Sequence, residues 1–342
     1  MQAVIIAAGE SARFWPLANG IHKSQIFLLG KPLIYWTLKG LKEAGIGDVV
    51  VVHGKDSSLP DMLNQENDLG IKVSFVVQEE SLGTGNALWQ AREFITQPFF
   101  VVWPNKVNVG ELAKEMIAAQ QKQGTDAVFV GAKTNTPHDY GIARMQRDQL
   151  AEIVENPEEG KEPSDTKVIG AYLLSPDFFS YYESIKKHHE ADLIEGINLY
   201  IKDKKASLII LKDEAAALKY PWELFYIMDI LFAAQKDEQI IHPTAKIGKG
   251  TVLEGRVYIG KNCEIGANNV IRGPVSLEKG VKTGAFFEIK HSIVQSGTTF
   301  HSGYIGDSVI GKNCAFGAGF TTANLRLDRS NVKSTVKEKN FY

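Results

Sequence analysis

From Ile241 an apolar residue returns every six positions, at Ile241, Ile247, Leu253, Ile259, Ile265, Ile271 and Leu277, and the spacing continues through Thr283 and Ile289. An α-helix repeats every 3.6 residues and a half-buried strand every 2, so neither accounts for it. A coil stacking on itself does. Three hexads make one triangular turn of a left-handed parallel β-helix, with the aliphatic residue inward and a glycine at the next corner, as at Gly248, Gly260 and Gly266. After Ile289 the phase slips, and Tyr304, Ile310 and Phe316 are expected to resume it. A β-sandwich would have to reproduce nine consecutive positions, with one polar exception, by coincidence.

Upstream the pattern is different. Ala3–Ala7, Val49–His53, Val73–Val77, Phe99–Trp103, Ala127–Val130 and Val168–Leu174 read as strands, and Lys31–Ala44, Gly85–Ile95 and Leu112–Gln123 as helices. Continuous apolar strands separated by helical patterns predict an α/β domain with a Rossmann-like, mostly parallel sheet covered on both faces. Ligands of such sheets bind beyond the carboxyl ends of the strands. The change of pattern near Lys236 predicts two domains, 1–236 and 237–342.

Composition narrows the function. With 38 Lys+Arg against 40 Asp+Glu spread along the chain, there is no polybasic stripe for nucleic acid or an anionic membrane, and a small-molecule partner is expected. The N-terminal apolar run lacks a positive n-region, and no stretch approaches the roughly 18–20 apolar residues of a membrane span, so a cytoplasmic location is expected. Cys263 and Cys314 lie far apart without a CxxC or Cys/His cluster, which argues for packing thiols.

The first strand runs into Ala8-Gly9-Glu10-Ser11-Ala12-Arg13-Phe14-Trp15-Pro16-Leu17, followed by His22-Lys23 and Gly30-Lys31-Pro32. A small-residue loop leaving a buried strand lets backbone N–H groups reach phosphate oxygens, which Arg13 and Lys23 can neutralise. This string resembles the signature of the sugar-1-phosphate nucleotidyltransferases, and the resemblance continues through both domains, the repeat region being similar to that of the bifunctional nucleotidyltransferase/acetyltransferases with a C-terminal β-helix. The resemblance implies the nucleotide-diphospho-sugar transferase fold and transfer of a uridylyl or thymidylyl group to a hexose 1-phosphate, with release of pyrophosphate. It also implies that Ala8 and Gly9 hold the base and nucleotide, Arg13 the phosphates and Lys23 the phosphate under attack. Ser11 and Ala12 stand where the family has Gly and Thr, and His22 where it has Pro.

Gln78-Glu79-Glu80-Ser81-Leu82-Gly83-Thr84-Gly85 is similar to the family's Q-x-x-x-L-G-T segment, which implies pyrimidine contacts by Gln78, Gly83 and Thr84. An N-cap at Thr84 opening the following helix is an equally physical reading. Tyr140-Gly141 and Glu155-Asn156-Pro157 resemble the elements whose Gly and Glu bond sugar hydroxyls, so Gly141 and Glu155 are candidate sugar ligands. Asn156 replaces a lysine that meets the sugar phosphate, and a solvent loop at Glu155–Lys161 is the plain alternative.

The resemblance also implies Mg2+ held by two aspartates. In register, Asn105-Lys106 and Ala217 occupy their places, so no metal ligand is expected. An ammonium repels a divalent cation, yet it can take over the ion's place and pair with phosphate oxygens, which makes Lys106 a candidate catalytic residue beside Arg13 and Lys23. Glu223 is the carboxylate this register would miss. The alternatives are a nucleotide-sugar-binding or regulatory homologue without turnover, a purely structural protein, and Lys106 as an ordinary surface lysine.

In the repeat region, His301 and Asn324 match positions where the resemblance implies a general base and a substrate contact for acetyl transfer. The short chain after them argues against that activity. The resemblance further implies a homo-oligomer, a trimer through the prism or a dimer.

Overall fold

The computed structural model describes residues 1–211, 218–322, 325–330, 332, 334–336 and 339–341. Ala217 and Asn324 lie outside the described residues. The chain folds into two compact units that are discontinuous in sequence: Met1–Glu10 with Ile34–Ala216, and Ser11–Leu33 with Ala217–Tyr342. The division expected at 236/237 therefore passes through the second unit.

The first unit is built on a nine-stranded sheet. Its strands are β1 (Gln2–Ala7), β2 (Asp48–Gly54), β3 (Lys72–Gln78), β4 (Phe99–Val102), β5 (Ala127–Lys133), β6 (Gly141–Gln146), β7 (Gln149–Glu155), β8 (Thr166–Leu174) and β9 (Ala206–Leu211). The main order is β9-β5-β8-β4-β1-β2-β3, with β6 pairing β8 and β7. Strand β1 is parallel to both β2 and β4, while β8 runs antiparallel between β4 and β5. Alternation within the strands supplies a core on each face: Val4, Ile6, Val50, Val52 and Val101 pack on one side, Ala3, Ile5, Val49, Val51 and Val102 on the other. The helices are α1 (Leu33–Glu43), α2 (Leu59–Glu66), α3 (Gly83–Gln90), α4 (Val109–Gln123), α5 (Phe178–Glu183) and α6 (Asp192–Asp203). The first predicted helix starts later than expected, because Lys31–Pro32 pairs with Phe27–Leu28 as a short hairpin. No described helix is long and apolar enough to cross a membrane.

The second unit contains α7 (Glu223–Ala233) and a prism of short parallel strands, from Gln239–Ile241 to Phe320–Thr321. Coils stack with an 18-residue offset at first, Ile241 on Ile259 and Ile271 on Ile289. The inward column is buried from Ile259 through Leu277, while Ile241 (41% exposed) and Ile247 (38%) mark its open first coil. The later coils are shorter: Ile289 stacks on Ile305, Val294 on Ile310 and Phe300 on Phe316. The resumed position is thus Ile305, fully buried, rather than the expected Tyr304, which faces the other way in the same strand.

The hairpin of the Ser11–Leu33 segment is bonded to the prism. Gln295 accepts from Phe27 N at 3.2 Å and donates to Phe27 O at 2.8 Å, Ser276 Oγ accepts from Leu29 N at 3.1 Å, and Glu278 accepts from Gly30 N at 3.1 Å. Gly30 has φ +80°, and a Cβ there would overlap the Tyr258 hydroxyl. Glu278 is fully buried, and that burial pushes its carboxyl up from 4.5 to about 7 against the opposing hydrogen bond from Ser276.

A folded-state carboxyl raised in this way contributes stability that is complete below about pH 4.5 and is lost as the pH rises through about 7. Glu278→Gln is therefore expected to remove a fall in stability between those pH values, read as the urea midpoint of both proteins across the range. At a prism corner, a Cβ on Gly284 would overlap the His301 carbonyl oxygen. Gly284→Ala is expected to destabilise the protein by roughly 1–3 kcal/mol in the same unfolding measurement.

Candidate functional site

In the first unit the strand order turns at β1, so the loops after β1 and β4 leave the sheet at one edge, where ligands of such folds bind. Ala8 and Gly9 follow β1. A Cβ on Gly9 would meet nothing within 4 Å, so the protein leaves this backbone open to approach.

Gln78 ends β3 and is only 5% exposed. Its amide nitrogen donates to Gly83 O at 3.0 Å and to Asn86 Oδ1 at 2.9 Å, which ties the end of the strand to the first turn of α3. The helix starts at Gly83 with Leu82 as its cap residue and no side-chain cap, so the N-cap expected of Thr84 is not formed. Gly83 has φ +92°, and a Cβ there would overlap the Glu190 backbone; at Gly85 it would overlap the Asp192 carboxylate. Asp192 is in turn held by the Tyr182 hydroxyl at 2.7 Å and His188 Nδ1 at 2.8 Å. Both glycines are thus required by packing of the segment that leads into α6.

At the end of β4 the chain turns through Trp103-Pro104-Asn105-Lys106, with Lys106 N donating to Trp103 O at 3.1 Å. Lys106 is 6% exposed, so it is not a surface lysine. Lys167 is 7% exposed. Strand β8 is antiparallel to β4 with Ala171 opposite Val102, so Lys167, four residues earlier in β8, lies past the carboxyl end of β4. Burial first, and the charge of Lys167 second, lower the Lys106 ammonium from 10.5 to about 8. The Lys167 ammonium stands 4.4 Å from the centroid of the Tyr140 ring.

The sugar-binding candidates belong to the same neighbourhood. Gly141 opposes Glu155 in the β6–β7 ladder, and a Cβ on Gly141 would lie 2.5 Å from Glu155 Oε1. Partial burial raises the Glu155 carboxyl above its ordinary range, although the residue keeps solvent access. Glu155 in turn adds to burial in raising the Tyr172 hydroxyl. Tyr172 meets Trp103 edge-on at 5.9 Å, and Gly170 leaves room for the Trp103 ring. Lys167 is the residue that sequence reasoning missed; its signal was a lysine inside an otherwise apolar strand.

These residues do not fit a divalent cation. Asn105 and Lys106 offer an amide and an ammonium where an acid is implied, and Lys167 adds a second positive charge. Among the described residues no group of three or more His, Cys, Asp or Glu side chains is arranged to hold an ion.

In the second unit the signature loop brings Arg13 and Lys23 together. The Lys23 ammonium donates to Leu218 O at 2.5 Å, and burial, offset by Glu223 and reinforced by Arg13, lowers its pKa. The Arg13 guanidinium lies 5.9 Å from the centroid of the Tyr220 ring, which stacks on Trp222 at 4.7 Å. Burial, then Lys23, lowers His22 from 6.5 to about 3, so it is neutral and bonds Ser24. Glu223 is committed to the loop before α7: it accepts from Lys219 N and, at 2.7 Å, from Tyr220 N. On the prism, His301 is an exposed residue whose backbone N donates to Phe316 O at 3.0 Å.

Comparison with known proteins places these features. The chain is 32% identical to a bifunctional sugar-1-phosphate nucleotidylyltransferase/acetyltransferase of Sulfurisphaera tokodaii, over 99% of this chain and 86% of that protein. It is 27% identical to the bifunctional protein GlmU of Methanocaldococcus jannaschii, over 99% and 84%. The fold is that of a Bacillus anthracis putative glucose-1-phosphate thymidylyltransferase, with TM-score 0.60 and 21% identity over 69% of this chain and 97% of that one. An apo UDP-glucose pyrophosphorylase aligns with TM-score 0.59 and 22% identity over 68% and 98%. Residues 240–273 match the bacterial transferase hexapeptide repeat. Residues 2–225 match the nucleotidyl transferase family, and the chain belongs to it.

Proposed function

We propose that this protein transfers a uridylyl or thymidylyl group from a nucleoside triphosphate to a sugar 1-phosphate, with Lys106 and Lys167 holding the anionic charge of the reacting phosphates. The observation that carries the reading is the burial of two ammonium groups near each other at the sheet edge, beside Gly141 and Glu155. An ammonium at such an edge can donate to a phosphate oxygen, the anion that this family handles. The activity for which the Sulfurisphaera tokodaii relative is named supports the reaction class.

In the reaction, an oxygen of the sugar phosphate attacks the α-phosphorus. The new P–O bond forms as the bond from that phosphorus to the β-phosphate bridging oxygen breaks, and pyrophosphate leaves. Lys106 and Lys167 offset charge on the attacking phosphate and on the α-phosphoryl oxygens, so the anions can approach. Glu155 accepts hydrogen bonds from sugar hydroxyls, and the Gly141 backbone leaves space for the ring. The open backbone of Ala8-Gly9, at the end of β1 in the same unit, approaches the nucleotide. A second reading, binding without turnover, is favoured by the amide and ammonium at the position where the family resemblance implies a metal-holding acid.

Pyrophosphate release with UTP or dTTP and a panel of hexose 1-phosphates, run beside calorimetric titration with the same compounds, decides between the two. Turnover is expected; saturable binding with no release selects the second reading, and no binding removes both. Lys167→Gln is expected to raise KM for the sugar phosphate about tenfold or more while altering kcat less, the loss of one charge-assisted hydrogen bond. Sugar-phosphate affinity of the unsubstituted protein should fall above about pH 8, and Lys167→Gln should move that bend upward, since a lowering charge has been removed. Lys106→Asp is expected to make nucleotide binding depend on magnesium. Unchanged affinity in that variant, with and without the ion, excludes Lys106 from the site.

A further inference from the structure

The second unit holds a cleft of about 660 Å³, a size typical of small-molecule sites. Its walls come from three places: Leu17 on the turn after the signature loop, Trp222 and Phe225 at the start of α7, and Ile310 and Phe316 on the last coils of the prism. Three aromatic rings in so small a space suit a flat apolar ligand. Their partners outside the cleft fix them in place: Trp222 stacks on Tyr220 at 4.7 Å, Phe225 meets the His291 ring at 4.5 Å, and Phe316 stacks on Phe300 at 4.8 Å. The walls are thus supported from behind, and a ligand entering them pays little to order them.

The polar groups are few and differ in their commitments. Asp307 accepts a hydrogen bond from His291 Nδ1 at 2.6 Å, so its charge is partly answered within the protein. Lys312 is exposed, its ammonium stands 5.6 Å from the centroid of the Phe27 ring, and among the described residues it has no carboxylate within ion-pair distance. The charge that the cleft offers to a ligand is positive. We propose that this cleft binds a small planar aromatic molecule bearing one anionic group, the ring against Trp222, Phe225 and Phe316 and the anion at Lys312.

The cleft carries its own reporter. Of the two cysteines, Cys314 lines it and is partly exposed, whereas Cys263 is buried. The occupancy is also open to a steric test: Gly311 lines the cleft, and a Cβ there would sit 3.7 Å from Leu17 and 3.8 Å from Cys314 Sγ, ordinary contact distances.

The experiment follows N-ethylmaleimide modification of Cys314 in the full chain by mass spectrometry. The probes are naphthalene-2-sulfonate, the neutral naphthalene-2-sulfonamide and the cation 2-naphthylmethylammonium. The sulfonate is expected to protect Cys314 saturably and the other two at least tenfold less well. Lys312→Gln, a surface change that leaves the fold intact, should raise the half-protecting sulfonate concentration about tenfold, and Gly311→Leu should abolish protection. Equal protection by all three probes, no protection by any, or sulfonate protection unchanged in Lys312→Gln overturns the proposal. A Cys314 that does not react because the protein self-associates, as shown by sedimentation, overturns it too and assigns this face to a second copy of the chain.

Discussion

A lysine ammonium taken out of water loses hydration that nothing apolar replaces, and a second ammonium nearby deepens the loss. At the edge beyond β4 both Lys106 and Lys167 are withdrawn from water, so what surrounds them there matters. Tyr140 offers its ring face to Lys167. Glu155, the nearby acid of the β6–β7 ladder, has its carboxyl raised above the ordinary range by partial burial. Trp103, held over Gly170 and against Tyr172, walls the turn in low-dielectric material that strengthens any electrostatic contact made there. On the proposed reading, it is phosphate oxygens that these ammonium groups meet.

Glycines in this chain divide into two kinds that look alike in sequence. Gly83, Gly85 and Gly30 are demanded by the protein's own packing, since a Cβ at each would overlap a neighbour. Gly9 is different, because nothing in the protein fills the space its side chain would take. A motif such as L-G-T-G can therefore be maintained by the approach of α6 alone, without a ligand. The loop after β1 leaves its backbone open to a ligand, whereas the Gln78 amide nitrogen is spent on Gly83 and Asn86.

The sheet and the prism were legible because both are written in the spacing of apolar residues. Strand runs such as Val49–His53 reappear within one residue at either end, and the hexad column is buried from Ile259 to Leu277. Spacing fails where the coil shortens. Once the repeat drops from 18 residues to 16, Ile305 rather than Tyr304 points inward, and no local signal marks which two residues are lost. The bonds from Gln295, Ser276 and Glu278 to the Phe27–Gly30 hairpin were invisible for another reason: they join residues about 250 positions apart through ordinary polar side chains. Lys167 was missed because a lysine near a strand start resembles a surface residue until its burial is known.

Asn156 and Lys167 have a common explanation. The family resemblance expects a cation just after β7, but the backbone of residue 156 is left-handed, with φ 43°. Asparagine tolerates that region better than lysine does, so the turn is relieved by the substitution. The positive charge is then absent from β7 and present on β8, whose antiparallel course carries residue 167 past the end of β4 toward the same edge. On the proposed reading, the charge that a phosphate demands is supplied from another strand. What such a site needs is a positive potential in a dry place, and several backbone positions along one sheet edge can provide it. A motif keyed to residue 156 scores the charge as lost, although Lys106 and Lys167 place two ammonium groups along this edge.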